Sequence, residues 1–191
     1  FSFSPSISVN KEEAQYVDTF DDNFATSTYK KRYVFGELNQ RTISASIRLD
    51  WTFNPQLSLQ LYLQPIISVG DYSEFKELAA SKSDKFNVYG HGNSSLSYNK
   101  DDDEYTVDPD GNGNASPFNF SNPDFNFKSF RGNVVFRWEF LPGSVFYLVW
   151  SHDQTNFEDP GKFNFKRDFK NLINAKSDNV YMAKITYWFD V

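Results

Sequence analysis

The chain of 191 residues contains no cysteine. Disulfide frameworks and thiolate chemistry are therefore closed to it, although this absence suits several compartments and chooses none. His91 and His152 are its only histidines, and neither has a sequence neighbour at metal-ligand or catalytic spacing. His152 stands between Ser151 and Asp153, but successive residues of a strand point to opposite faces. A Ser–His dyad cannot form there directly. No apolar run approaches the length of about 18 residues that a transmembrane helix requires. The 9 glycines are scattered among turns and form no phosphate-binding motif. Basic residues are outnumbered, 19 to 25, for a formal charge of -6. Asp101, Asp102, Asp103, Glu104, Asp108, Asp110 and Asp124 lie close together with only Lys100 among them, and the rest of the chain is neutral. Nucleic-acid binding needs a basic stripe, so that partner class is excluded; an acidic loop suits a cation or plain solvation.

Aromatics are abundant: 21 Phe, 11 Tyr and 4 Trp make 19% of the residues while only 39% are hydrophobic. Such side chains fit pleated surfaces. From Ile43 to Asn54 apolar and polar residues alternate without a fault, which reads as a strand with one apolar face. Beyond Pro55 and Gln56 the pattern resumes, with Leu57, Leu59, Leu61, Leu63, Ile67 and Val69 on one face and Ser58, Gln60, Tyr62, Gln64 and Ser68 on the other. The first ten residues and the segment from Tyr181 to Val191 behave alike.

Alternation alone does not say whether the apolar face meets a protein core or lipid. Length discriminates. Strands of globular domains centre on about 5 to 6 residues, and these runs are nearer the roughly 9 to 11 tilted residues of a membrane crossing. Seven strands are expected, at 1–10, 13–22, 32–54, 57–70, 126–140, 144–156 and 179–191, with parity slipping near Tyr33 to Leu38. Their connections alternate short and long, as short periplasmic turns and long extracellular loops do. Trp51, Phe53, Trp138, Phe140, Tyr187, Trp188 and Phe189 fall beside the short turns, where an interfacial girdle belongs.

The expected fold is therefore all-β: a transmembrane antiparallel β-barrel of which residues 1–191 form the C-terminal portion, with 71–125 a long extracellular loop. Single-chain barrels of bacteria have even strand numbers, so an odd count implies strands supplied upstream, in a longer protein of which this is a fragment. The expected setting is the bacterial outer membrane, with lipid around the wall and the C-terminus in the periplasm. The final strand resembles the C-terminal signal read by the barrel-assembly machinery, departing from it by ending in Val191.

The segment NPDFNFKSFRGNVVFRWEFLPGSVFYLVW, from Asn122 to Trp150, resembles a stretch found in uncharacterised bacterial proteins that join an N-terminal family-nine-like carbohydrate-binding domain to an outer-membrane barrel. The segments YVFGELNQRTISASIRLDWTFNPQLSLQLYLQP and YTVDPDGNGN are similar to the same family. This resemblance implies location and architecture, a further N-terminal domain and contact with surface polysaccharide. It implies no reaction.

Arg131, Asn133, Arg137 and Glu139 share a face opposite Val134, Phe136, Trp138 and Phe140, and Arg48, Asp50 and Lys184 should join them in the lumen as a structural ionic network. Asp108, Asp110 and Asn112, followed by Gly113, resemble the first half of a calcium loop, but the twelfth position is Asn119 where a bidentate Glu belongs. Asp and Gly are also ordinary turn residues. Calcium is the one cofactor this sequence suggests, and no catalytic residue is expected. The function expected is a non-enzymatic barrel that anchors a carbohydrate-binding module or passes solute. Alternatives are an outer-membrane hydrolase with its site in a missing domain or in 71–125, and a soluble carbohydrate-binding β-sandwich.

Overall fold

The computed structural model describes residues 1–158 and 161–189. Six long strands carry the architecture: β1 (Ser2–Asp21), β2 (Lys31–Asn54), β3 (Leu57–Leu78), β8 (Phe125–Leu141), β9 (Ser144–Glu158) and β10 (Ser177–Thr186). Between β3 and β8 lie the short strands β4 (Phe86–Val88), β5 (Ser95–Asn99), β6 (Glu104–Asp108) and β7 (Phe118–Ser121), and one helix, α1 (Phe165–Asn174), precedes β10. Strands β1-β2-β3-β8-β9-β10 form one antiparallel sheet with β4 paired to the end of β3, and β5-β6-β7 form a second. The fold is all-β and antiparallel. Its main sheet is open, with β1 and β10 as the two edges.

Six long strands replace the seven expected. Residues 1–10 and 13–22 are one strand, because Ser2 to Asp21 pair continuously with Arg48 to Lys31. Two β-bulges on β1, between Glu12 and Gln15 and between Tyr16 and Asp18, produce the break in alternation that reads as a turn. A bulge inserts a residue and shifts parity without reversing the chain. The parity slip expected near Tyr33 to Leu38 also sits on a neighbour: β2 is regular there, and β3 carries the extra residue around Glu74, whose φ is 48°. With β1 undivided, Ser2 and Thr186 both lie at the end of the sheet that holds the short turns. The odd-number argument for further strands therefore lapses.

The alternation of connections survives this correction. Links at 55–56 and 142–143 are short, and those at 22–30, 79–124 and 159–176 are long. Strand β3 extends to Leu78, beyond the end expected at residue 70, and the 71–125 stretch, expected as a loop, also holds β4 and the paired strands β5, β6 and β7. The closing strand ends at Thr186; Asp190 and Val191 lie outside the described residues.

The core is confined to one end. Val34, Phe75, Tyr89, Val107 and Phe120 are buried together, with Val17, Phe20 and Tyr72 packed against them, where β5-β6-β7 folds over the long-connection end of β1–β3. Tyr105 and Phe120 stack at 5.4 Å, and Phe20 stacks on Phe118 at 4.3 Å. Toward the short turns the sheet is a single layer, and no second sheet covers its apolar face. The accessible surface, 12530 Å², exceeds the about 9,400 Å² expected of a compact monomer of 22.2 kDa by roughly a third.

Candidate functional site

Register places the side chains of the main sheet on two chemically distinct faces. Ile7 pairs with Ile43 and Ile43 with Ile67; Ile47 pairs with Leu63, Trp51 with Leu59 and Leu59 with Phe136. Phe136 pairs with Leu148, which pairs with Ala183. Because strand neighbours alternate, these residues form one continuous apolar band across all six strands. Among the described residues its short-turn and middle levels have no protein cover, Ile7 being 73% and Ile185 68% exposed, whereas Ile67 and Val69 near the long connections are buried at 5% and 2%. At the short-turn end it finishes in aromatics, with Trp51 stacked on Phe53 at 4.8 Å, Trp138 beside Phe140 at 5.9 Å, and Phe140 beside Tyr187 at 6.4 Å. The Trp188 amide donates to the Ser144 hydroxyl at 3.0 Å and fastens the chain after β10 to the 142–143 turn. Trp150 stacks on Tyr181 at 6.4 Å near the other margin of the band.

The opposite face is polar. Ser2, Ser4, Ser6 and Ser8 pair with Arg48, Ser46, Ser44 and Thr42. Arg131, Asn133, Arg137, Glu139, Asp50 and Lys184 share this face, as the alternation predicts. They form separate contacts where a network is expected. Arg131 donates to Asp153 at 2.8 Å, Arg137 to Glu139 at 3.0 Å, and Arg48 lies 4.9 Å from the centre of the Tyr62 ring. Ser151, on this face, donates to Asn133 at 2.7 Å, while His152, on the apolar side, is 2.9 Å from Asn179. The two side chains diverge as strand geometry requires.

Toward the long connections the polar face is covered. Arg32 donates to Asp22 and to Glu77, both at 2.6 Å, and the Tyr89 hydroxyl donates to Glu77 at 3.1 Å. Burial works against the Arg32 charge, but its bonds to Glu77 and Asp22 prevail and raise its pKa. Burial, reinforced by Glu77, pushes the Tyr89 hydroxyl far above its ordinary range. This cluster ties the 22–30 link and the segment just after β4 to the sheet. Sequence inspection missed it because its members lie 10 to 67 positions apart in the chain (Asp22, Arg32, Glu77, Tyr89).

The calcium-loop residues form a turn. Asp108 accepts the amides of Gly111 at 2.8 Å and Asp110 at 3.3 Å, and Asp110 accepts the Ala115 amide at 3.1 Å. A Cβ at Gly113 would fall 2.0 Å from the Asp110 carboxylate, so glycine is what lets that carboxylate turn inward. The second Asp110 oxygen is buried without a hydrogen-bond partner, and Asn112 is exposed. Among the described residues no three His, Asp or Glu side chains converge as a metal-holding group. The acidic run also has structural work: Asp103 accepts Tyr98 and Asn122, and Asp102 accepts Asn99.

Residues 161–176, within an expected long connection, lie on the face of the sheet that carries the apolar band. Gly161 lies beside the Gly70 carbonyl and Asp124, and the Arg41 guanidinium is 5.7 Å from the centre of the Phe163 ring. Helix α1 then packs on β8 and β9. Asn164 caps it by accepting the Arg167 amide at 3.1 Å, while Asp168 accepts the Asn164 amide at 2.8 Å. The signal was legible: an Asn cap followed by Phe165, Phe169, Leu172 and Ile173 at helical spacing.

No curated protein and no solved structure matches this chain. The family described as a domain of unknown function, DUF5916, matches residues 85–191. Two of the segments that carry the resemblance to uncharacterised bacterial proteins, from Asn122 to Trp150 and from Tyr105 to Asn114, lie within that match, and the segment beginning at Tyr33 precedes it. Covering more than half of the sequence, the match shows that the chain belongs to the DUF5916 family.

Proposed function

We propose that the main sheet is an arc of an outer-membrane β-barrel wall, with the apolar band against lipid and the polar face toward the lumen. The observation that carries this reading is the exposed band itself, continuous across six strands and backed by a polar face. In water, an exposed apolar surface of this extent is an aggregation liability; in a bilayer it is the outside of a barrel. Ile43 to Phe53 spans ten strand steps, about 33 Å along the strand and roughly 25 Å of height at a tilt near 40°, the height of a barrel's apolar band. The aromatic margin at the short turns fits an interfacial girdle. No helix among the described residues is long and apolar enough to cross a membrane, and a β-barrel needs none.

Six strands are fewer than the eight of the smallest barrels, so closure requires strands that pair with the free edges of β1 and β10. In this reading they come from the upstream part of the same protein, and the barrel-assembly machinery inserts the whole. The long connections face outward. The barrel acts as a non-enzymatic anchor, or a passage for solute, for a carbohydrate-binding module that contacts surface polysaccharide.

Extraction and mobility test the reading. The full-length protein is expected in the outer-membrane fraction, released only by detergent, and to migrate differently on gels with and without heating. Release by salt or alkali without detergent would overturn the membrane assignment. Conductance across planar bilayers distinguishes passage from anchoring.

A further inference from the structure

Helix α1 is amphipathic in the reverse of the usual sense for a helix packed on a protein. Its sheet-facing side carries Asp168, fully buried and bonded to Asn126 at 3.0 Å, with Leu172 and Asn171, the last donating to Glu158 at 2.8 Å. The side turned away carries Phe165, Phe169 and Ile173, which are 56%, 46% and 58% exposed, and the two Phe rings stack at 5.6 Å. Spacing of four residues aligns them in one stripe. Lys166 and Lys170 flank the stripe, and Lys162 and Lys176 stand at its ends, all exposed and in no ion pair among the described residues. Arg167 is occupied by Asp168 and by the Lys162 carbonyl. The segment 161–176 thus holds five basic residues and one buried acid within a chain whose net charge is -6.

The place of this helix in the sheet gives the stripe its meaning. Helix α1 contacts Asn126 and Gln154, which share the face of the apolar band and lie just beyond Phe130 and Trp150. It therefore lies along the band's margin at the long-connection end.

We propose that α1 is an interfacial element that docks on phosphate-bearing lipid headgroups: Phe165, Phe169 and Ile173 enter the boundary between headgroups and acyl chains, and Lys162, Lys166 and Lys170 pair with phosphates. The inference rests on the membrane reading above and adds a lipid class to it. An apolar stripe bordered by lysines is the design of helices that lie in the plane of a bilayer surface, with the apolar side entering by about 5–10 Å. The lysines add attraction for an anionic surface. Packing on the sheet removes the entropy such a helix otherwise loses on ordering, so a helix of 10 residues suffices.

The test uses the full-length protein in lipid nanodiscs, with single reporters attached at Phe169→Cys on the helix or Leu61→Cys in mid-band. Nitroxide-bearing lipids and aqueous iodide serve as quenchers, in phosphatidylcholine alone or mixed with phosphatidylglycerol. Both reporters are expected to be quenched by lipid. Quenching at 169 should rise by about twofold or more with phosphatidylglycerol, a rise that Lys162→Gln, Lys166→Gln and Lys170→Gln together remove. If 61 is quenched by lipid while 169 stays open to iodide, the helix does not touch the bilayer and the inference falls, leaving the membrane reading intact. Shielding of 169 from both quenchers would place protein over the stripe and also overturn it. Equal quenching in the two lipid mixtures removes the phosphate. If neither site meets lipid, the membrane reading itself fails.

Discussion

The Asn126 side-chain amide donates to the Asp168 carboxylate at 3.0 Å, and both side chains are fully buried between β8 and α1. This bond joins the helix to the sheet alongside those of Asn171 to Glu158 and of Gln154 to the Ile173 carbonyl, and Asp168 also caps the helix start through the Asn164 amide. Asp168→Ala leaves the Asn126 side-chain amide and the Asn164 backbone amide without this partner, at a cost of about 1–3 kcal/mol. Residues 161–176 are expected to exchange amide hydrogens faster by tenfold or more, while β2 and β3 keep their protection. Hydrogen exchange followed by mass spectrometry resolves the two regions.

The faces of β3 give the sharpest contrast for the wall. Leu61 lies in the apolar band and Gln60 on the polar face. Leu61→Arg is expected to destabilise insertion by about 2–4 kcal/mol, as a charge at mid-depth does, and Gln60→Arg to change it little. Folding into lipid vesicles across a urea series measures both. Equal effects at the two positions contradict a lipid-facing band.

Asp124 should confer a pH dependence on the long-connection end. Burial, with Asp71 and Asp103 nearby, raises its pKa although the Tyr72 amide donates to it at 2.7 Å. A carboxyl with a raised pKa binds its proton more tightly folded than unfolded, so the folded state loses stability as pH rises from the ordinary carboxylate range through the raised value. Asp124→Asn keeps an acceptor for Tyr72 and removes the ionisation. The variant is expected to flatten the pH dependence and to protect β5-β6-β7 better at neutral pH, as limited proteolysis from pH 4 to 8 would show.

Sequence alternation revealed both faces and the rhythm of connections because a strand's side chains repeat every two residues, as Ile43 to Asn54 do without a fault. It failed where one residue was inserted. Around Glu12 to Gln15 the parity change was indistinguishable from a turn, although no Gly or Pro occurs there to make one. The Arg32 cluster was illegible for another reason: partners brought together by folding leave no local pattern. Helix α1 could have been read, since the cap and the spacing were present, but its apolar stripe is the side left exposed.

Gly70 marks a close contact inside the covered end. A Cβ there would lie 2.3 Å from Phe125 and 2.9 Å from Leu38. Gly70→Ala therefore forces the Phe125 ring aside, and overpacking of this kind costs about 1–3 kcal/mol. Thermal melting of the folded protein is expected to show the loss, and Phe125→Leu in the same chain to recover part of it.

The turn from Asp108 to Gly113 commits Asp108 and one oxygen of Asp110 to backbone amides. Millimolar calcium is accordingly expected to leave amide exchange across 108–115 unchanged, and Asp108→Ala to loosen the turn by about 1 kcal/mol with or without calcium. Calorimetric titration of the intact protein that showed heat, together with ordering of this turn, would establish a cation there.

The strands differ in length along the wall: 20 residues in β1, 24 in β2 and 22 in β3, then 17, 15 and 10 in β8, β9 and β10. Register steps the rim at the long-connection end down from β3 to β8, where Gly70 already faces the first residue of β8, and again from β9 to β10, where Ser177 faces Gln154. Any strands that complete a ring must climb from the low sill at β10 back to the height of β1. In the barrel reading, the seam at β10 would be the lowest point of the rim.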